Sequence, residues 1–174
     1  PDHSRRRRHE PQRHEKVLGG QKQVDIRTRA AGYINIKMRT EAQLRKYLAD
    51  KGYSSGDISE VVDEFKQYGY IDDLNYATLY YEYAFSKGRG LFRIKRELKN
   101  KGIDQDIIEE AYEMLDTKPD QFELAMDIGR QMTAGTDVSG LDYAEKQKLR
   151  GRIGRRLASR GFSSDTVYRV IDRL

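Results

Sequence analysis

The chain of 174 residues contains no cysteine, no tryptophan and only three prolines, and its three histidines all lie within the first 14 residues. Without cysteine it has neither disulfides nor thiolate metal ligands, which is typical of a reducing compartment, so we expect a cytoplasmic protein. No apolar run approaches the roughly 18 residues of a membrane span, and we expect a soluble protein without a membrane partner. No signal-peptide core follows Pro1, which favours a fragment or a processed chain.

The residue combinations of common enzymes are also missing. The histidines are confined to the N-terminal segment, and residues 86–90 have neither the full spacing of a phosphate-binding loop nor an apolar strand before them. The acidic pairs Asp72-Asp73 and Glu109-Glu110 suit helix caps and solvated faces, because matching ligand groups elsewhere are not evident. We therefore predict a non-enzymatic protein with no metal and no cofactor.

What the sequence does contain is an internal repeat. Segments 44–65, 94–115 and 153–174 align without a gap. Each holds a cation, a glycine and an apolar residue at the same place, a pattern that ends a helix because the cation meets the negative end of the dipole and glycine adopts the left-handed turn. A candidate N-cap follows, so each segment is predicted to be helix, turn and helix. The triplets are Lys51-Gly52-Tyr53, Lys101-Gly102-Ile103 and Arg160-Gly161-Phe162, and the caps are Ser54, Asp104 and Ser163.

A further helical pattern precedes each segment. Residues 72–88 and 120–135 carry apolar side chains at helical spacing. The equivalent run at 25–37 is weaker, because Gly32 disfavours a helix and residues 33–36 favour a strand. The repeating unit is therefore predicted to have three helices.

Composition and charge favour an extended protein with a distinct N-terminal segment. Hydrophobic residues make up 37% and charged residues 35% of the chain, which is less apolar surface than a compact globule of this length normally buries. We predict an all-α fold, an elongated tandem array of three three-helix repeats at residues 24–69, 70–117 and 118–174. Residues 1–23 carry a net charge of +4 and are predicted to be a basic disordered tail or a remnant of added sequence.

Charge is sorted by helix. The middle helices are basic, since residues 37–51, 87–101 and 146–160 carry a combined net charge of +16. Residues 54–65 hold four acids and no base, and residues 104–116 hold six acids and no base. The basic helices could form a face that binds phosphates or an acidic protein surface. The alternative is that neighbouring helices pair their charges and neutralise much of this face.

Tyrosine is concentrated in one stretch. Six of the twelve tyrosines lie between Tyr68 and Tyr83, more than one helix face can bury. Some should therefore be exposed and available for an interface. For Tyr76, Tyr80 and Tyr83, whose spacing is helical, we expect packing between the first two repeats instead.

Several short motifs occur together in the second repeat. They are Gly69-Tyr70-Ile71-Asp72-Asp73, Tyr76-Ala77, Arg93-Ile94, Glu97-Leu98 and Lys101-Gly102-Ile103. In combination they resemble the central signature of the RecX family of bacterial regulatory proteins. Residues 39–44 with Leu48 are similar to the family's first-repeat pattern, and the third copy matches more loosely, so the resemblance covers about residues 26–174. Gly90-Leu91 stands where many members have glycine followed by proline.

The resemblance implies a non-enzymatic modulator of the RecA recombinase. Family members are tandem three-helix modules that bind RecA filaments along the helical groove and usually limit recombination, ATPase and coprotease activity. The implied partner is the RecA nucleoprotein filament, with single-stranded or double-stranded DNA as a further partner, and we expect a monomer. Our candidate contacts are Lys87, Arg89, Arg93, Lys95, Arg96, Lys99, Arg152, Arg155 and Arg156, with Tyr70 and Tyr81 as aromatic contacts. The signature residues Asp72, Asp73, Tyr76, Ile94, Glu97, Leu98, Lys101, Gly102 and Ile103 are expected to be mostly structural.

Two other classes of function stay open. A stand-alone nucleic-acid-binding protein of helix-turn-helix type would place its basic middle helices on phosphates, and its binding would depend steeply on salt in the absence of RecA. A structural adaptor would instead bind an unrelated protein through its tyrosine-rich and acidic faces.

Overall fold

The computed structural model describes residues 12–174, and every regular element in this part of the chain is helical. The predicted all-α array of three three-helix repeats is confirmed, with α1–α3 forming repeat 1, α4–α6 repeat 2 and α7–α9 repeat 3. A short 3₁₀ turn, Val138–Gly140, lies before α8. The helices are α1 (Gln12–Ile36), α2 (Glu41–Asp50), α3 (Ser55–Gln67), α4 (Asp73–Ser86), α5 (Leu91–Asn100), α6 (Gln105–Glu113), α7 (Gln121–Thr133), α8 (Tyr143–Ser159) and α9 (Ser164–Arg173).

The chain divides into two compact units, Pro1–Ile71 and Asp72–Leu174. The first unit contains repeat 1, and the second contains repeats 2 and 3. Each repeat has a separate apolar core. The core forms because the three helices of a repeat bury their apolar sides against one another. The leucines at equivalent positions, Leu48, Leu98 and Leu157, are all fully buried.

The three predicted turns are confirmed. Lys51, Lys101 and Arg160 are the C-caps of α2, α5 and α8. The glycines that follow have φ values of 90°, 86° and 93°, a left-handed conformation that glycine adopts without steric cost. Ser54 and Ser163 cap α3 and α9 through their side chains, whereas Asp104 takes the N-cap position of α6 without a side-chain capping bond.

Helix α1 corrects the prediction for the N-terminal segment. We expected no regular structure before residue 24, but α1 begins at Gln12. Ile26 and Ala30 are fully buried in the core of repeat 1, which fixes the helical turn that they form. Extending a helix from a fixed turn orders only one more residue for each hydrogen bond gained. The same packing outweighs the helix cost of Gly32. The rest of the predicted tail, residues 1–11, lies outside the described residues.

Repeats 2 and 3 are joined where two glycines meet. The amide of Gly90, before α5, donates to the carbonyl of Arg160 at 2.7 Å, and the amide of Phe92 donates to the carbonyl of Gly161 at 3.2 Å. A Cβ atom on Gly161 would lie 2.2 Å from the Cβ of Arg93, so only glycine permits this approach. The start of α5 is thereby fixed against the turn between α8 and α9.

Leu91 adds a second tie to the same junction. Its amide donates to Oε1 of Gln121, at the start of α7, at 2.9 Å. A proline at this first helical position would support α5 but could not make this bond. Because this chain has Leu91 where many family members have proline, it gains the hydrogen bond from Leu91 to Gln121 between repeats 2 and 3.

Candidate interaction surface

Glu97 is the centre of a polar network on repeat 2. Its Oε2 accepts hydrogen bonds from the Tyr80 hydroxyl at 2.7 Å and from Arg89 Nη1 at 3.2 Å, and its Oε1 accepts one from Arg93 Nε at 3.2 Å. Arg93 and Glu97 meet because they are four residues apart on α5. Burial and the hydrogen bond to Glu97 raise the pKa of Tyr80 to about 12, so its hydroxyl stays a neutral donor. Glu97 thus fixes the positions of Arg89 and Arg93.

Lys95 is held by the acidic third helix of the same repeat. Its Nζ lies 3.0 and 2.9 Å from the two carboxylate oxygens of Glu109 and 5.2 Å from the ring centroid of Tyr112. The hydrogen bond from Lys95 lowers the pKa of Glu109. The alternative to a free basic face therefore holds for these three cations: Lys95 pairs with the neighbouring helix α6, Arg93 pairs within α5, and Arg89 pairs with α5 from the link before it.

The other candidate cations of α5 and α8 are exposed and have no carboxylate within ion-pair distance among the described residues. On each helix they are three or four residues apart and so share one face, while Ile94 and Leu98 of α5 and Leu149, Ile153 and Leu157 of α8 are buried in their own repeats. Unpaired, solvated arginines and lysines are available to phosphates or to acidic protein groups. These residues are Arg96, Lys99, Arg152, Arg155 and Arg156.

Lys87 and Arg156 come together although they belong to different repeats. Both line a cavity of about 550 Å³. Arg160 lines it too and donates from Nη1 to the carbonyl of Lys87 at 3.1 Å. The sequence identified Arg160 only as a helix-ending cation, because local spacing cannot predict a contact between residues 73 positions apart in the chain. The Nζ of Lys87 also lies 5.7 Å from the ring centroid of Tyr83.

The tyrosines divide into exposed and buried members. Tyr70 is 61% exposed and lies in the first compact unit. The expectation that Tyr81 contacts a partner is wrong, since its side chain is 0% exposed and its hydroxyl donates to the carbonyl of Ile108 at 2.9 Å. Tyr76 and Tyr80 pack against the core of their own repeat. Tyr83, also expected to pack, is exposed and does not belong to the core of repeat 2; its ring lies beside Lys87 and Arg89 instead.

The signature residues have structural roles. Asp72 caps α4 by accepting a hydrogen bond from the amide of Asn75 at 3.0 Å, and Asp73 lies in the first turn. Ile94, Leu98 and Ile103 belong to the core of repeat 2. Lys101 is the C-cap of α5, and its Nζ lies 5.2 Å from the ring centroid of Tyr80.

The described part of the chain has neither a metal-binding cluster nor a membrane-spanning helix. Residues 12–174 contain no group of three or more histidine, cysteine, aspartate or glutamate side chains that could hold a metal ion. In the same range no helix is long and apolar enough to cross a membrane.

Comparison with known proteins identifies the family. A family model described as the first three-helix domain of RecX matches residues 27–65, and one described as the second three-helix domain matches residues 72–111. Regulatory protein RecX of Vibrio vulnificus is 33% identical over 125 residues, which cover 72% of this chain and 76% of that relative. The chain belongs to the RecX family.

Other RecX proteins agree in sequence and fold. Regulatory protein RecX of Lactococcus lactis subsp. cremoris (strain SK11) is 29% identical over 164 residues, which cover 92% of this chain and 59% of that relative. The chain thus spans about three fifths of the length of the Lactococcus relatives. The crystal structure of RecX from Lactobacillus salivarius superposes with a TM-score of 0.75 at 24% identity, covering 89% of this chain and 97% of that one. The RecX fold is therefore shared.

Proposed function

We propose that this chain is a non-enzymatic regulator that binds the RecA nucleoprotein filament along its groove and inhibits RecA recombinase, ATPase and coprotease activity. Membership in a family of regulatory proteins is the observation that carries the proposal. The exposed, unpaired cations of α5 and α8 supply a surface that can contact acidic protein groups and the DNA phosphates of a filament. Linked repeats would bind successive sites on a filament at a high effective concentration.

The direct test is RecA ATP hydrolysis on single-stranded DNA with this protein added at substoichiometric amounts. Binding to naked single-stranded DNA is followed in parallel at two salt concentrations. We expect inhibition below one molecule per RecA protomer without tight binding to naked DNA. No effect on RecA, beside strong salt-sensitive DNA binding, would contradict the proposal.

The ion pairs of α5 decide which variants test the proposed surface. Changing Arg93, Lys95 and Arg96 together to Glu should weaken inhibition, but it also breaks the contacts of Arg93 with Glu97 and of Lys95 with Glu109. Arg96→Glu and Lys99→Glu change only cations without such pairs among the described residues and should weaken inhibition with helicity unchanged. Arg130→Glu, at an exposed position on α7, is the control for charge reversal outside α5 and α8, although it also breaks the pair of Arg130 with Asp127 at 3.1 Å. If Arg96→Glu and Lys99→Glu inhibit RecA as strongly as the wild type and Arg130→Glu do, α5 is not part of the binding surface.

The second candidate is a stand-alone nucleic-acid-binding protein of helix-turn-helix type. The exposed arginines Arg152, Arg155 and Arg156 on α8 favour it, because three unpaired cations on one helix can follow a phosphate backbone. Under this alternative, affinity for naked DNA should fall steeply with salt, and each Arg→Glu change should reduce the salt slope by about 1.

A further inference from the structure

Repeat 3 carries an open groove on the side formed by its last two helices. The groove has a volume of about 520 Å³ and lies between α8 and α9. It is lined along α8 from Gln147 to Ala158, a length of roughly 16 Å at the helical rise per residue. Val167, Tyr168 and Ile171 form the facing wall on α9. It is thus long enough for a peptide segment of several residues.

Equivalent positions in the other two repeats are closed by a polar bridge. In repeat 1, Arg45 Nη1 donates to Ser59 Oγ at 3.1 Å. In repeat 2, Lys95 Nζ contacts Glu109 at 2.9 Å. The same two positions in repeat 3, counted from the aligned segments, are Gly154 and Tyr168. Gly154 has no side chain, and Tyr168 is 68% exposed, so nothing spans the two helices there.

Packing within the repeat does not require glycine at this position. A Cβ atom on Gly154 would lie 3.4 Å from Ile171 Cδ1 and 3.7 Å from Val167 Cγ1, which are ordinary contact distances. Gly129 of α7 differs, because a Cβ there would come within 2.8 Å of Leu174 Cδ1. A glycine inside a helix lowers stability, so the open floor at Gly154 has a cost that the fold does not explain.

The lining of the groove combines an apolar floor with a cationic rim. Aliphatic carbon from Val167 and Ile171, with the backbone of Gly154, forms the floor, and the guanidinium of Arg155 lies beside Gly151, with Nη1 3.1 Å from the place where a Cβ of that glycine would be. Arg150 and Arg155 stand exposed at the rim without an ion pair to any described residue. No aspartate or glutamate is among the lining residues. Charge complementarity therefore selects an anionic occupant that also has an apolar group.

We propose that this groove binds an acidic segment of a partner protein, with one apolar side chain on the floor between α8 and α9 and carboxylates on Arg150 and Arg155. Arginine is suited to carboxylates because its planar donors can bind both oxygens. A nucleic acid would satisfy the two arginines but would leave the aliphatic floor without an apolar partner. The inference does not depend on which protein supplies the segment, so it extends beyond the function proposed above.

The test uses the full chain and a random peptide library displayed on phage, with selected peptides then measured by fluorescence anisotropy. The groove is closed by Gly154→Lys with Tyr168→Glu, which reproduces the bridge between Lys95 and Glu109 of repeat 2. Arg150→Glu and Arg155→Glu reverse the rim without changing the floor. Lys148→Glu, an exposed change on α8 outside the lining, is the matched control. Circular dichroism and urea unfolding establish that each variant is folded.

We expect selected peptides to carry aspartate or glutamate on both sides of an apolar residue. Their affinity should fall by at least about tenfold in the closed variant and several-fold in each rim variant, while Lys148→Glu stays within about twofold. Peptides without an acidic excess, equal binding to the closed variant, or no selected binder would overturn the proposal. So would a thymidine oligonucleotide that shifts the Gly151 and Gly154 amide resonances of the wild type more than any acidic peptide does. If the closed variant does not fold, Arg150→Glu and Arg155→Glu test the proposal by themselves. Peptide affinity that is unchanged in both of these variants would overturn the proposal.

Discussion

Among single residues, Tyr80 links the stability of repeat 2 to pH. Burial and its hydrogen bond to Glu97 raise its pKa from 10.0 to about 12. Because the folded state holds the proton more tightly than the unfolded state, this contribution is fully present below pH 10 and is lost as the pH rises towards 12. We expect the free energy of unfolding to fall through this window, and to fall less steeply in Tyr80→Phe.

Urea unfolding at several pH values across the window measures this effect. Tyr68→Phe is the matched control, since Tyr68 is 66% exposed. The comparison is made between slopes, so that any pH dependence common to all variants cancels. Parallel pH profiles for the wild type and Tyr80→Phe would show that Tyr80 is not the group responsible.

Tyr81 is a case in which burial decides the role of a residue. Its hydroxyl donates to the carbonyl of Ile108 inside the core of repeat 2. Tyr81→Phe should lower the free energy of unfolding by about 1 kcal/mol, and under the proposed function the folded variant should inhibit RecA as strongly as the wild type. Urea unfolding and the ATPase assay check the two halves of this expectation. Loss of inhibition with unchanged stability would return Tyr81 to the partner surface.

Among the elements, the turns between second and third helices are alike in backbone but differ in surroundings. Gly52 and Gly161 have φ values of 90° and 93°. Nothing lies within 4 Å of a Cβ placed on Gly52, whereas on Gly161 it would lie 2.2 Å from the Cβ of Arg93. Gly52→Ala should therefore cost only the strain of a left-handed residue, about 1–2 kcal/mol. Gly161→Ala should cost more, because α5 must also move away.

Urea unfolding of the two variants gives the comparison. In addition, Gly161→Ala should weaken the bonds from the Gly90 and Phe92 amides to the turn, which faster hydrogen exchange at those two amides would report. Equal destabilisation by the two substitutions, with no change in exchange, would mean that the close approach at Gly161 does not constrain the junction.

The elements also show what local sequence can and cannot predict. A cation, glycine and apolar residue specify a helix end through neighbours in the chain, so all three turns were predictable. Helix α1 before residue 24 was not, because it extends from packing at Ile26 and Ala30 rather than from a periodic pattern. Tyr81 and Tyr83 have similar local sequence but opposite burial, a difference set by where α5 and α6 lie. The link from Arg160 to Lys87 depends on tertiary structure alone.

At the scale of the whole molecule, charge is divided between internal pairs and a free surface. The basic helix α5 lies beside the acidic α6, and the bond between Lys95 and Glu109 joins them. Helix α8 has no such neighbour, because the position equivalent to Glu109 in α9 is Tyr168. The cations of α8 therefore have no ion pair among the described residues. Sequence alone could count the charges of the three repeats but could not show which of them are neutralised.

Repeats 2 and 3 form one compact unit with two cores, and this arrangement predicts how a defect in one repeat affects the other. Leu157 is fully buried in repeat 3, and Leu157→Ala should cost about 2–5 kcal/mol. The amides of Gly90 and Phe92 belong to repeat 2 but donate to the carbonyls of Arg160 and Gly161. Opening of repeat 3 must therefore expose them.

We expect Leu157→Ala to raise hydrogen exchange at these two amides by at least about tenfold under native conditions. The amide of Lys101, which donates to Glu97 within repeat 2, separates two mechanisms. If it accelerates equally, the two repeats open as one cooperative unit; if it does not, repeat 3 opens first and the junction opens with it. Unchanged exchange at Gly90 and Phe92 would contradict the junction itself, because their protection would then come from repeat 2 alone.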